Sequence, residues 1–348
     1  MTHFSELIIQ VLYNIFCIFN KQRDICFACN FYSDIYLNLT TVFKQTKEKY
    51  SRTKFISAQK KNAISFIKTL WEFSKSKIIV VDCSHWVVCK IFINKNSELI
   101  YLGHGGGCYK KMGYAANHGD KQNSIKKERK YGQFNFVISS TDKFNKEISR
   151  NYNLNEEQIK PLGLPRLDAL WHIDKAQYKK KRRYFKVLFA PSFIMDKDGK
   201  RIVQLNQNKI KEITERLGYE MIYSCHPDLS NKQDCNLLYE VRLKNYIDLL
   251  SSADVLLTDR SSIMFDFSLT KKPIIIMDSR QYDNQVWNRA LQMDGYNICS
   301  DYQTLEKMLT KPENLVSSEK IWNEQMNCCK PDSSESIANF IISRITYR

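Results

Sequence analysis

YIDLLSSADVLLTDRSSIMFDFSLTKKPIIIMD, residues 246–278, alternates helical spacing with short unbroken apolar runs. YIDLLSSA (246–253) and SSIMFDFSLT (261–270) read as helices, DVLLTD (254–259) and KPIIIMD (272–278) as strands. An antiparallel strand with one wet face alternates apolar and polar residues. Strands this uniformly apolar belong to parallel sheets covered on both faces. The stretch therefore predicts an α/β fold built from strand and helix in turn.

The same rhythm runs upstream, with KVLFAPSF (186–193) and YEMIYSCHP (219–227) as strands around the amphipathic KIKEITERLG (209–218). It appears again in the first half of the chain. Strands are expected near 24–28 in KQRDICFACN, near 77–83 in SKIIVVDC, in SELIYLGH (97–104) and in FNFVISS (134–140), with AISFIKTLWEF (63–73) as a helix. IKPLGLPRLDALW (159–171) interrupts this pattern with Pro161, Gly163 and Pro165 and reads as the passage between domains. The expected organisation is an N-terminal domain over 1–158, a C-terminal domain over 159–330, and a capped amphipathic helix in PDSSESIANFIISRITYR, 331–348. A chain of 348 residues exceeds the usual size of a single core, which agrees with two domains.

The formal net charge is +16, from 53 Lys and Arg against 37 Asp and Glu, and it favours polyanionic partners: nucleic acid, an anionic membrane face or phosphorylated substrates. The basic residues are scattered and form no recognised nucleic-acid module, so a nucleic-acid partner is not expected. Eleven cysteines without framework spacing, and no secretory signal pattern, fit a reducing cytoplasm. Cys26 and Cys29 form a C-x-x-C with no second ligand pair, and the histidines are unclustered, so no metal site is expected. LIIQVLYNIFCIF (7–19) is too short and too interrupted to span a bilayer. It admits two readings: a helix packed on its own domain, or an interfacial helix followed by Lys21 and Arg23.

Candidate chemistry gathers at strand ends, where open α/β sheets place ligands. After Thr258 a turn carries Asp259 and Arg260, and a helix begins at Ser261 or Ser262. The first turn of a helix offers unpaired N–H groups and the positive end of the dipole, so it attracts phosphate. An ordinary Ser or Asp cap explains the same residue types. His226 of HPD (226–228) can donate to a phosphate oxygen, or serve merely as a turn residue beside Pro227. In YLGHGGGCYKKMGYA (101–115), His104 ends a strand, Gly105, Gly106 and Gly107 permit close backbone approach, and Lys110 and Lys111 add charge. A histidine there can take a proton from an attacking hydroxyl. The esterase reading of HGGG needs a G-x-S-x-G elbow that the chain lacks, and the dinucleotide and P-loop fingerprints are absent as well.

FNFVISSTDKF, IKPLGLPRLDAL, LFAPSF, CHPD and the opening stretch, in that order, resemble the CDP-glycerol glycerophosphotransferase family, which includes teichoic acid poly(glycerol phosphate) and poly(ribitol phosphate) transferases. FYSD (31–34) adds a fainter match. The resemblance implies a GT-B-like fold, two Rossmann-like domains with parallel sheets facing a central cleft, and a metal-free, cofactor-free transfer. A polyol phosphate would pass from a CDP-activated donor to an acceptor hydroxyl in teichoic acid or capsule-like synthesis, with release of CMP. It assigns catalysis to His104, donor phosphate binding to His226, Thr258, Ser261 and Ser262, and cleft positions to Arg166 and Asp259. Three departures stand out: HGGGCYKKMG where the family has His-Gly-Thr-Pro, Arg260 where an aromatic residue is common, and Cys225 before HP. The acceptor implied is a glycan or lipid-linked polymer, which fits attachment of a cytoplasmic enzyme to the inner membrane face. Two other readings remain: a GT-B glycosyltransferase using a nucleotide sugar, and a basic protein that binds nucleic acid or anionic lipid.

Overall fold

A computed structural model of the chain describes residues 3–29, 37–57, 62–82, 85–103, 105–108, 112–115, 129, 131–172, 184–192, 194–195, 198, 201–224, 243–259, 261–277 and 296–346. His104, Lys110, Lys111, Cys225, His226 and Arg260 lie outside these residues. The chain divides into two compact units. One comprises Met1–His104, Lys110–Asp168 and Cys328–Arg348, the other Gly105–Tyr109 and Ala169–Asn327.

The first unit runs α1 (His3–Phe19), β1 (Asp24–Cys29), α2 (Leu37–Lys49), β2 (Thr53–Ser57), α3 (Ala63–Lys75), β3 (Ser76–Val81), β4 (Glu98–Tyr101), β5 (Phe136–Ile138), α4 (Asn145–Tyr152) and β6 (Ile159–Lys160). Its strands form one parallel sheet in the order β2-β1-β3-β4-β5-β6. Every residue of β1 and β4 is buried, as expected of strands covered on both faces. The chain moves outward from β1 to β2, then crosses back to β3. That reversal is the switch point of a doubly wound sheet.

The second unit contains β7 (Lys186–Phe189), a small hairpin of β8 (Ile194–Met195) and β9 (Arg201–Ile202), α5 (Gln207–Arg216), β10 (Glu220–Tyr223), α6 (Leu243–Ser252), β11 (Val255–Thr258), α7 (Ile263–Ser268), β12 (Ile274–Met277), β13 (Asn297–Cys299), α8 (Tyr302–Thr310) and α9 (Glu319–Gln325). The parallel order β10-β7-β11-β12-β13 repeats the winding of the first sheet, with its own reversal between β7 and β11. Leu256 pairs with Leu188 on one side and Ile274 on the other, which makes β11 the centre of the sheet. One core joins Val187, Phe189, Val255, Leu257 and Ile275 to Ile210 and Ile213 of α5 and to Leu305 and Leu309 of α8.

The chain then returns to the first unit as α10 (Ser333–Thr346). Ile337, Ala338 and Ile341 of this helix pack with Leu39 and Val42 of α2 over Ile25, Phe27, Ile78 and Val80, so the C-terminal helix is a wall of that core. The first unit also extends to Asp168, past the sequence-derived boundary at 158. Ile159 and Lys160 pair with Val137 and Ile138 as an edge strand, and the Pro and Gly residues that follow belong to a packed loop. Gly163 there holds φ +94, and a Cβ at that position would fall 2.3 Å from Ser333 Oγ.

α1 packs on its own unit through one face and leaves the other exposed. Tyr13 and Cys17 are buried, whereas Leu7, Ile8, Val11, Ile15, Ile18 and Phe19 are exposed. Among the described residues no helix is long and apolar enough to cross a membrane.

Candidate active site

The C-terminal end of β11 lies at the reversal of the second sheet, the position where such sheets bind ligands. Thr258 is fully buried, and its hydroxyl donates to the Ala190 carbonyl at 2.6 Å. Asp259 is also buried and accepts the Ser192 N–H at 2.6 Å. These two bonds stitch the β7 and β11 connections together. Thr258, expected to hold donor phosphate, is buried and has its hydroxyl proton engaged by the Ala190 carbonyl. Ser192 was not legible as a partner because the bond joins segments far apart in the chain.

Beyond the turn, Ser261 and Ser262 are partly exposed and α7 begins. Met264 N–H bonds to the Ser261 carbonyl at 3.3 Å and Phe265 N–H to the Ser262 carbonyl at 3.1 Å. Ser262 has helical backbone angles, φ −65 and ψ −9, and its side chain makes no cap hydrogen bond. The ordinary capping role is therefore not the one that Ser262 fills. Its hydroxyl sits at the start of α7.

The glycine loop meets this helix start. A Cβ at Gly105 would stand 3.3 Å from Ser262 Oγ. At Gly106 it would collide with Met326 Sδ at 2.6 Å, and at Gly107, where φ is +74, with the Phe265 ring at 2.8 Å. The N–H of Cys108 donates to Gln325 Oε1 at 2.7 Å, and Gln325 is buried. The three glycines thus let the backbone lie directly against α7 and the end of α9. The close approach seen at Gly106 and Gly107 is to protein side chains. Phe265, Gln325 and Met326 carried no local signal of this role.

In the first unit, the Asn38 side chain accepts the Arg166 N–H and donates to the Gly103 carbonyl, each at 3.1 Å. Arg166 is itself buried. Asp168, in the same GLPRLD stretch, accepts the Ser334 N–H at 2.8 Å at the start of α10, and burial raises its pKa to about 6.

Residues 14–298 match the CDP-Glycerol:Poly(glycerophosphate) glycerophosphotransferase family. The chain belongs to that family. The transferase is 26% identical over 310 residues to the teichoic acid glycerol-phosphate primase of Bacillus subtilis (strain 168), covering 83% of this chain and 79% of the relative. It is 24% identical to the teichoic acid poly(ribitol-phosphate) polymerase of Bacillus spizizenii, covering 88% of this chain but only 53% of that protein. Its fold matches a solved structure of the wall teichoic acid polymerase TagF at a TM-score of 0.74 and 19% identity, over 97% of this chain and 93% of the other. The fold class is accordingly GT-B-like, with two Rossmann-like parallel sheets, and the chemistry is polyol phosphate transfer of the teichoic acid type.

Proposed function

We propose that this transferase moves glycerol phosphate, or a related polyol phosphate, from a CDP-activated donor to an acceptor hydroxyl, with His104 as general base. The observation that carries the reading is the packing of Gly105, the covalent neighbour of His104, against Ser262 at the start of α7. Gly105 belongs to the loop of the proposed base and Ser262 to the proposed phosphate grip, and their proximity supports the reading. The acceptor oxygen bonds to the distal phosphorus while the bond from that phosphorus to the bridging oxygen breaks. CMP departs with the electron pair, and the acceptor proton passes to His104. Ser261, Ser262, His226 and the helix start hold the pyrophosphate, because phosphoryl transfer is catalysed mainly by positioning and charge stabilisation.

The second part of the reading is peripheral attachment to an anionic membrane that carries the acceptor. It is supported by the exposed face of α1, by Ile64, Ile67 and Trp71 exposed on α3, which packs against α1, and by the net charge of +16.

A donor screen by thermal shift with CDP-glycerol, CDP-ribitol and sugar nucleotides tests the first part, followed by product analysis. CMP with a phosphodiester product is expected. CDP or UDP released with a glycosidic bond would move the chain to nucleotide-sugar chemistry. His104→Ala is expected to lower turnover about 100-fold or more while the donor-induced shift persists.

A further inference from the structure

We infer that Asn38 is a positioning residue for catalysis, acting by fixing the backbone that leads into His104. The inference rests on the proposed role of His104 as base.

Asn38 lies near the start of α2 and is 3% exposed. Its Nδ2 donates to the Gly103 carbonyl and its Oδ1 accepts the Arg166 N–H. The polarity of the amide is determined by these partners. An N–H facing one end requires oxygen there, and a carbonyl facing the other requires the NH2 group. The Gly103 carbonyl belongs to the planar peptide unit that joins Gly103 to His104, so a bond that fixes this oxygen fixes the plane in which the chain enters His104. Gly103 holds φ +71, a conformation open to glycine at little cost, and a backbone this permissive needs an external restraint to keep one setting. Asn38 supplies that restraint from α2, and its second bond ties the same side chain to the GLPRLD loop.

No residue of similar shape does both tasks. Aspartate keeps an acceptor for Arg166 but turns a second acceptor toward the Gly103 carbonyl. Leucine fills the space and bonds to neither.

The test is steady-state kinetics of Asn38→Asp and Asn38→Leu with CDP-glycerol, alone and combined with His104→Ala, with circular dichroism and melting curves on each variant. Misplacement of a catalytic group by an ångström costs on the order of 100-fold. Both single variants are expected to lose about 10- to 100-fold in kcat, with donor KM changed less than about 2-fold. In the His104→Ala background the Asn38 substitutions should cost nothing further, because the group they position is gone. Wild-type kcat in Asn38→Asp, a raised KM at unchanged kcat, or full additivity with His104→Ala would overturn the proposal. If Asn38→Leu fails to fold, Asn38→Asp decides, and failure of both would assign Asn38 to the fold instead. Near-normal turnover in His104→Ala would remove the functional reading itself, whereas an inactive His104→Ala beside a fully active Asn38→Asp would remove this inference alone.

Discussion

The hydroxyl of Thr258 points into the protein, to Ala190, and that of Ser262 lies at the opening of α7 beside Gly105. Two hydroxyl residues of one turn therefore answer to different measurements. Thr258→Val leaves the Ala190 carbonyl short of a donor in a buried place and is expected to cost about 1–2 kcal/mol of stability in denaturant titration, with donor affinity unchanged. Ser262→Ala should leave stability within about 0.5 kcal/mol and weaken donor binding about tenfold, since a hydrogen bond to a charged phosphate is among the stronger kind. The TDRSS motif announced both residues by spacing, but only the fold reveals which one faces inward. His85 shows a different residue-scale effect. It is buried, its Nδ1 accepts the Val87 N–H at 3.3 Å, and desolvation lowers its pKa from 6.5 to about 3. A depressed folded pKa means that this group's full contribution to stability is present above pH 6.5 and declines as pH falls toward 3. At pH 5 the loss is about 2 kcal/mol. Denaturation of wild type and His85→Leu at pH 7.5 and pH 5 should show the stability difference between them moving in favour of the variant in acid.

At the scale of elements, the glycine loop and the short α7 form a single packing unit whose tolerance is ordered by geometry. Gly106 faces Met326 Sδ and Cε, the far end of a flexible side chain, whereas Gly107 combines positive φ with the Phe265 ring. Gly107→Ala is thus expected to lower kcat more than Gly106→Ala, and Met326→Ala should rescue Gly106→Ala but not Gly107→Ala. Equal losses in all three backgrounds would mean that contact with α7 is not what the glycines serve. The strands β11 and β12 were legible because an unbroken apolar run is a local signal, and so was α7 with its serines. β2 (TKFIS) and β13 (NIC) were not, being short edge strands whose apolar content is diluted by polar residues. The partners of the glycine loop were equally hidden. Cys108 and Gln325 are separated by 217 positions, and no periodicity encodes such a contact.

For the whole molecule, two repeats of one winding explain why alternation alone pointed to an α/β fold with parallel sheets, and why the C-terminal helix needed coordinates: its amphipathic pattern states that it packs, without saying on which sheet. The same scale governs the last prediction. α1 buries Tyr13 and Cys17 and leaves an apolar stripe in water, from Leu7, 61% exposed, to Ile18, 80% exposed. Lys21 and Arg23 follow directly, and Lys68 is exposed on α3. Apolar area and positive charge on one side of a protein are the two signals that stable interfacial binding combines, and each basic residue near an anionic surface adds about 1 kcal/mol. The wild-type chain is expected to sediment with phosphatidylglycerol vesicles at low salt and less at high salt, where the Debye length shrinks to a few ångströms. Ile8→Glu combined with Ile18→Glu touches only exposed positions, so melting temperature and turnover on a short soluble acceptor should stay near wild type. Vesicle binding should fall about tenfold or more, since two apolar side chains lose their insertion and two like charges meet the lipid. Undiminished binding by the double variant would place the membrane contact on another surface, and absent binding by the wild type would leave the apolar stripe of α1 without a membrane role.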